Sequence, residues 1–126
     1  MPEELPTNKD VLSYLSVLPQ KISEQEHHIL KTQEKVAEEE FRSNLIVNKI
    51  SSDVLAKVED GKPKFRNQQS RDAEIHVLLD DHKIHLELKE SINKNKSFQK
   101  EQGVYLEFLK NRFSAAKYMA RLMEKE

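Results

Sequence analysis

Five residues in one short stretch carry the chemistry of metal ligands: His76, Asp80, Asp81, His82 and His85. Imidazoles and carboxylates at this density are a zinc-type donor set, and His82 and His85 stand at i, i+3, on one face of a helix. A di-metal centre in a helical bundle needs a Glu-x-x-His set from each of two helices. The only such set is Glu24 with His27, on a stretch whose apolar seam is thin. The simpler expectation is a polar helix start with solvated histidines, holding neither metal nor any other cofactor.

Other catalytic chemistry is equally thinly represented. There is no Cys, hence no disulfide framework, thiolate site or cysteine nucleophile. With 22 Asp and Glu, close carboxylate pairs carry no information, and Glu38-Glu39-Glu40 reads as a solvated face. No P-loop, dinucleotide-binding glycine pattern, nucleophile elbow or HExxH occurs. The expectation is a protein that is not an enzyme.

Basic residues offer a different chemistry. Lys57, Lys62, Lys64, Arg66 and Arg71 gather around Phe65, and Lys89, Lys94, Lys96 and Lys100 follow later. A basic loop holding one aromatic is able to contact phosphates and stack a base. Glu59, Asp60, Asp72 and Glu74 offset the first set, and the net charge of the chain is −1. Lys62, Lys64, Phe65, Arg66 and Arg71 are the candidate recognition tip, with nucleic acid as one candidate partner.

The elements that must position these residues are helical. The chain has 126 residues, 34% charged and 37% apolar, below the roughly 45–50% apolar share of average globular domains. Only two glycines are present, which disfavours β-rich folds with their tight turns. No apolar run approaches the roughly 20 residues of a membrane span and no signal-peptide core follows Met1, so a cytoplasmic chain without membrane association is expected.

Residues 1–7 read as a flexible tail, and 8–126 as one domain. A short helix is predicted over 8–18, capped by Thr7, Asn8 or Asp10 and stopped before Pro19. A long helix is predicted over 20–59. Ile22, Ile29 and Val36 fall seven apart, Glu26, Gln33 and Glu40 occupy the intervening positions, and a thicker seam from Leu45 to Val58 follows. Gly61 and Pro63 end it. A connector over 60–81 holds a short helix capped by Asn67 or Ser70, and a last long helix covers 82–125.

That last helix has the clearest pattern. Leu88, Ile92, Asn95, Gln99, Gln102, Leu106, Leu109, Phe113, Ala116, Ala120 and Met123 follow alternating steps of four and three, the spacing of a coiled-coil seam. The fold class is all-α, an antiparallel long-helix hairpin. The expected register places Ile50 near Ile92, Val36 near Tyr105 and Ile22 near Met119, with Glu40 and Asn44 opposite Gln99 and Asn95. Buried amides there would select register and partner number, because misalignment strands them without hydrogen bonds.

One segment reads two ways. In residues 74–89, Ile75, Val77 and Leu79 alternate, as do Ile84, Leu86 and Leu88, which is also β-hairpin spacing. The intervening turn lacks Gly and Asn, so helix is favoured, with Asp80 or Asp81 capping the final helix. Were it a hairpin, the layout would be that of a prefoldin-like chaperone subunit.

Gly61-Lys62-Pro63-Lys64-Phe65-Arg66-Asn67, then Arg71-Asp72-Ala73-Glu74 and Leu78-Leu79-Asp80-Asp81, resembles a pattern in small helical proteins of bacteriophages and prophages. The likeness covers roughly residues 45–120, and Gln68-Gln69 stands where an acidic pair is expected. Such proteins are often encoded near recombination or replication genes, so the resemblance implies an accessory role in DNA recombination or replication.

A two-helix hairpin buries one stripe per helix and leaves apolar residues uncovered. Leu12, Tyr14, Leu15, Leu106, Leu109, Phe113 and Met119 are the candidate packing or oligomer surface. A homo-oligomer, dimer or tetramer, is the expected state, with a further protein partner.

Overall fold

The computed structural model describes residues 7–125. The chain is an all-α helical hairpin with a connector: α1 (Asn8–Ala56), β1 (Val58–Glu59), β2 (Lys62–Pro63), α2 (Gln68–Asp80) and α3 (Lys83–Glu124). The expected tail, apart from Thr7, lies outside the described residues. Two compact units are formed. One joins α1 up to Gln33 with α3 from Ser97 onward, and the other runs from Glu34 to Lys96.

Local chemistry sets the helix starts. Thr7 Oγ1 accepts from the Asp10 N–H at 3.2 Å while the Asp10 carboxylate accepts from the Thr7 N–H at 2.9 Å. This is a reciprocal capping box with Asp in the acidic position. The bond from the Thr7 backbone, then that from its hydroxyl side, holds the Asp10 carboxyl below its ordinary range. Asn67 caps α2, its side-chain oxygen accepting from Ser70 N–H at 2.8 Å.

Pro19 does not separate two helices, contrary to the expected break after residue 18; it lies inside α1. An interior proline forfeits one backbone hydrogen bond and crowds the preceding turn, at a cost of about 3 kcal/mol. Pro19 is exposed, whereas Val11 and Leu18 on the packed face are 1% and 5% exposed. Burying two such side chains contributes roughly 1.5–3 kcal/mol each. Continuity of the seam through the proline therefore outweighs the local penalty.

The other end of α1 also differs from expectation. The helix stops at Ala56, not residue 59, and Gly61 does not cap it. Asp60 (φ 54°) and Gly61 (φ 74°) instead form the two-residue turn of a minimal antiparallel ladder, Val58 opposite Pro63 and Glu59 opposite Lys62. Two consecutive positive φ values are what a type I′ hairpin turn requires, and Asp-Gly supplies them at low cost.

Residues 74–89 are helical on both sides of Asp81-His82. The strands on which the prefoldin-like alternative depended are not there.

In α3 Leu88, Ile92, Asn95, Gln99, Gln102, Leu106, Leu109, Phe113, Ala116, Ala120 and Met123 are all buried or half-buried, as the 3-4 spacing requires, and the half-buried His85, Ser91, Gly103 and Met119 widen the stripe. In the first half of α1 the seam takes Ile22, Gln25, Ile29, Thr32, Val36 and Glu39, so Gln25, Thr32 and Glu39 replace the expected Glu26, Gln33 and Glu40. Steps of three and four are interchangeable where the intervening residues are all polar. Further along, Val54 is buried while Leu45, Leu55 and Val58 are more than half exposed, so the thick seam is narrower than its composition implied.

The register also differs. In the Glu34–Lys96 unit Glu39 lies against Asn95 and Glu40 against Lys96. Asn44, expected opposite Asn95, is exposed. The helices are thus displaced by more than one turn. In the other unit Gln25 Nε2 donates to the Gln102 carbonyl at 3.1 Å, where the expected register placed Tyr105 near Val36. Polar residues still meet polar residues, but with different members.

Candidate interaction surfaces

The predicted tip forms around the two-residue ladder. Lys62, Lys64 and Arg66 are exposed there, joined by the Glu59 and Asp60 carboxylates around a shallow polar hollow. Phe65 is half-buried instead of projecting, because the Lys64 and Lys57 ammonium groups sit 5.4 and 6.0 Å from its ring centroid. Lys57 also reaches Glu74 at 3.6 Å. Arg71 is half-buried and donates to Gln68 Oε1 at 3.3 Å. Of the expected recognition residues, then, three cations face solvent, while Phe65 lies beneath two ammonium groups and Arg71 bonds within α2.

The histidine-rich stretch is the α2–α3 junction. His82, not Asp80 or Asp81, caps α3: its Nδ1 accepts from the His85 N–H at 3.1 Å, and its carbonyl accepts from Leu86 N–H at 3.0 Å. Asp80 ends α2 and Asp81 serves as its C-cap. His76 is exposed. His85 is half-buried, and its Nδ1 is enclosed without a hydrogen-bond partner among the described residues. Desolvation, then the neighbouring His82 and Lys89, lower the His85 pKa below its ordinary value. Among the described residues no three His, Asp or Glu side chains converge as metal ligands.

The unit built from the two terminal stretches carries an open groove of about 560 Å³ between α1 and α3. Gln25, His28 and Lys31 line it from α1, and Phe98, Glu101 and Tyr105 from α3. Gln102 is 7% exposed, with its side-chain oxygen unpaired among the described residues. Further along the same unit Arg112 donates to the Tyr14 hydroxyl at 2.7 Å, with its guanidinium carbon 4.6 Å from the Tyr14 ring centroid and 5.4 Å from that of Phe108. Tyr105 stacks against Phe108 at 6.3 Å. This cation–aromatic cluster was not read from the sequence, because its members lie almost a hundred residues apart.

The expected packing surface divides. Leu109 is 3% exposed, and Leu15, Leu106, Phe113 and Met119 are half-buried, so hairpin packing takes up much of their surface. Tyr14 belongs to the Arg112 cluster, and Leu12 is exposed. What stays open on α3 is another set: Val104, Phe108, Tyr118 and Leu122 are 71%, 49%, 62% and 46% exposed.

No helix among the described residues is long and apolar enough to cross a membrane. Set against protein-family models, curated proteins and solved structures, the chain finds no match in any of the three.

Proposed function

We propose that this is a non-enzymatic helical interaction protein that works by self-association. The observation that supports this reading most directly is the apolar surface that the hairpin leaves open on α3, from Val104 to Leu122. Isolated exposed apolar residues are ordinary on protein surfaces, but several that recur along one helix point to an interaction site. The grooves of the described residues are shallow and open, a shape suited to contact with another macromolecule more than to enclosing a substrate. Light scattering across a dilution series is the test: the expected mass is a multiple of the 14.8 kDa chain that falls on dilution. A mass of one chain at every concentration overturns the proposal.

A second reading is favoured by the connector. Lys62, Lys64 and Arg66 cluster at a tight two-stranded ribbon, and none of the three pairs with a carboxylate among the described residues. Such a tip suits phosphate contacts, and the phage-type resemblance suggests DNA recombination or replication as the setting. A salt-dependent gel shift lost in the Lys64→Glu, Arg66→Glu variant would support it; no binding at low salt would remove it.

A further inference from the structure

We propose that α3 carries a second helix-pairing seam on its back, and that its occupant is the α3 of a second copy running antiparallel. This rests on the self-association reading and specifies the surface that serves it. Val104, Phe108, Asn111, Ala115, Tyr118 and Leu122 follow alternating steps of four and three, and all six are exposed. Each stands two residues after a member of the hairpin seam, from Gln102 to Ala120. At about 100° per residue the second ladder therefore lies roughly 160° around the helix from the stripe that faces α1. It is about 27 Å long, given the helical rise of about 1.5 Å per residue. Upstream the ladder continues as Ser97 and Glu101, so the apolar part ends at Val104.

The ladder and its flanks argue for a second copy. Its steps read the same in both directions, so an antiparallel α3 meets it in register. Val104 then faces the second copy's Leu122, Phe108 its Tyr118, and Asn111 its Ala115, where the small side chain leaves room for the amide. Glu107 and Arg121 border one edge of the ladder, and both are exposed. The antiparallel arrangement brings Glu107 beside the second copy's Arg121, and Arg121 beside its Glu107. A parallel arrangement would instead bring Glu107 to Arg112, which its own chain already holds at the Tyr14 hydroxyl and between two rings. Rim pairs of this kind set orientation more than affinity.

The chain has no Cys, so introduced thiols report the pairing cleanly. Asn111→Cys and Ala115→Cys proteins, mixed under mild oxidation, are expected to cross-link to each other at least tenfold faster than either does alone. Tyr118→Glu is expected to give a single-chain mass with unchanged helical circular dichroism. Glu107→Lys and Arg121→Glu should each weaken association about fivefold, and the double exchange should restore it. Self-cross-linking of Asn111→Cys as fast as the mixed pair overturns the antiparallel seam. Self-association that survives Tyr118→Glu, with no mixed cross-link, overturns the proposal but leaves the self-association reading standing. A single-chain mass for the unmodified protein at all concentrations overturns both.

Discussion

The Glu39 carboxylate accepts a hydrogen bond of 2.6 Å from the side-chain amide of Asn95, 56 residues away, and Glu39 is only 8% exposed. The same Asn95 amide lies 3.4 Å from the Ser91 hydroxyl, and Glu40 pairs with Lys96 at 2.8 Å one step further out. A carboxylate drawn from a run of three glutamates, expected on a solvated face, is thus the point at which α1 and α3 recognise each other. Sliding α3 so that Leu88 takes the place of Asn95 would strand it without a donor.

Replacing Asn95 with Ala leaves the Glu39 carboxylate buried without its partner. Hydrogen bonds to charged groups contribute about 1.5–3 kcal/mol, so Asn95→Ala is expected to destabilise by about 2 kcal/mol. The Glu39→Leu, Asn95→Leu double variant is expected to regain most of that, since apolar replacement of both partners removes the desolvation cost. Urea midpoints at unchanged slope measure both. If Asn95→Ala left the midpoint where it was, the pair would have no anchoring role.

The α2–α3 junction makes stability depend on pH. His85 has a folded-state pKa below its ordinary 6.5, through burial first and then His82 and Lys89, so the fold favours its neutral form. The unfolded chain therefore binds more protons, and the His85 contribution is complete above pH 6.5 and lost as pH falls toward the folded-state value. The urea midpoint is expected to fall between pH 7.5 and 5. His85→Gln should flatten that slope, and an unchanged slope would show that His85 does not carry it.

Pro19 is a local cost carried by the packing around it. Pro19→Ala restores the missing backbone hydrogen bond on an exposed face, and a gain of about 2–3 kcal/mol is expected. Thermal unfolding would report it as a higher melting temperature with the same helical content. No gain would mean that α1 already relaxes around the ring without loss.

The Asp60-Gly61 turn gives a prediction that separates backbone strain from packing. A Cβ at Gly61 meets nothing within 4 Å, so Gly61→Ala would incur only the cost of φ 74° for an L-residue, about 1–2 kcal/mol. Gly61→Asn, which tolerates the left-handed region better, should lose less. Equal losses for both variants in urea unfolding would point to the side chain and not the backbone.

Much of α3 was legible before any coordinates, for a physical reason. Its apolar and small residues recur from Leu88 to Met123 in steps that match the helical repeat, and that repeat depends only on neighbours within two turns. Thr7 and Asn67 were legible as cap candidates, beside Asn8, Asp10 and Ser70, because the hydrogen bonds they make span three residues. The hairpin turn is present in the letters Asp60-Gly61, but the same letters also write a helix stop, and strand-like alternation is longer in residues 74–89, where it coincides with helical spacing.

By itself, then, the sequence determined that long helices form, which face of α3 is buried and where polar residues interrupt that face. Tertiary structure alone decided the register, the phase of α1 between Gln25 and Glu39, and the survival of the helix through Pro19. A heptad pattern is nearly unchanged by a shift of one repeat, so it cannot choose its own partner. Only long-range contacts such as Gln25 with Gln102 and Glu39 with Asn95 distinguish one alignment from the next. The penalty at Pro19 is local and visible in the letters, whereas the burial of Val11 and Leu18 that outweighs it exists only once α3 lies alongside.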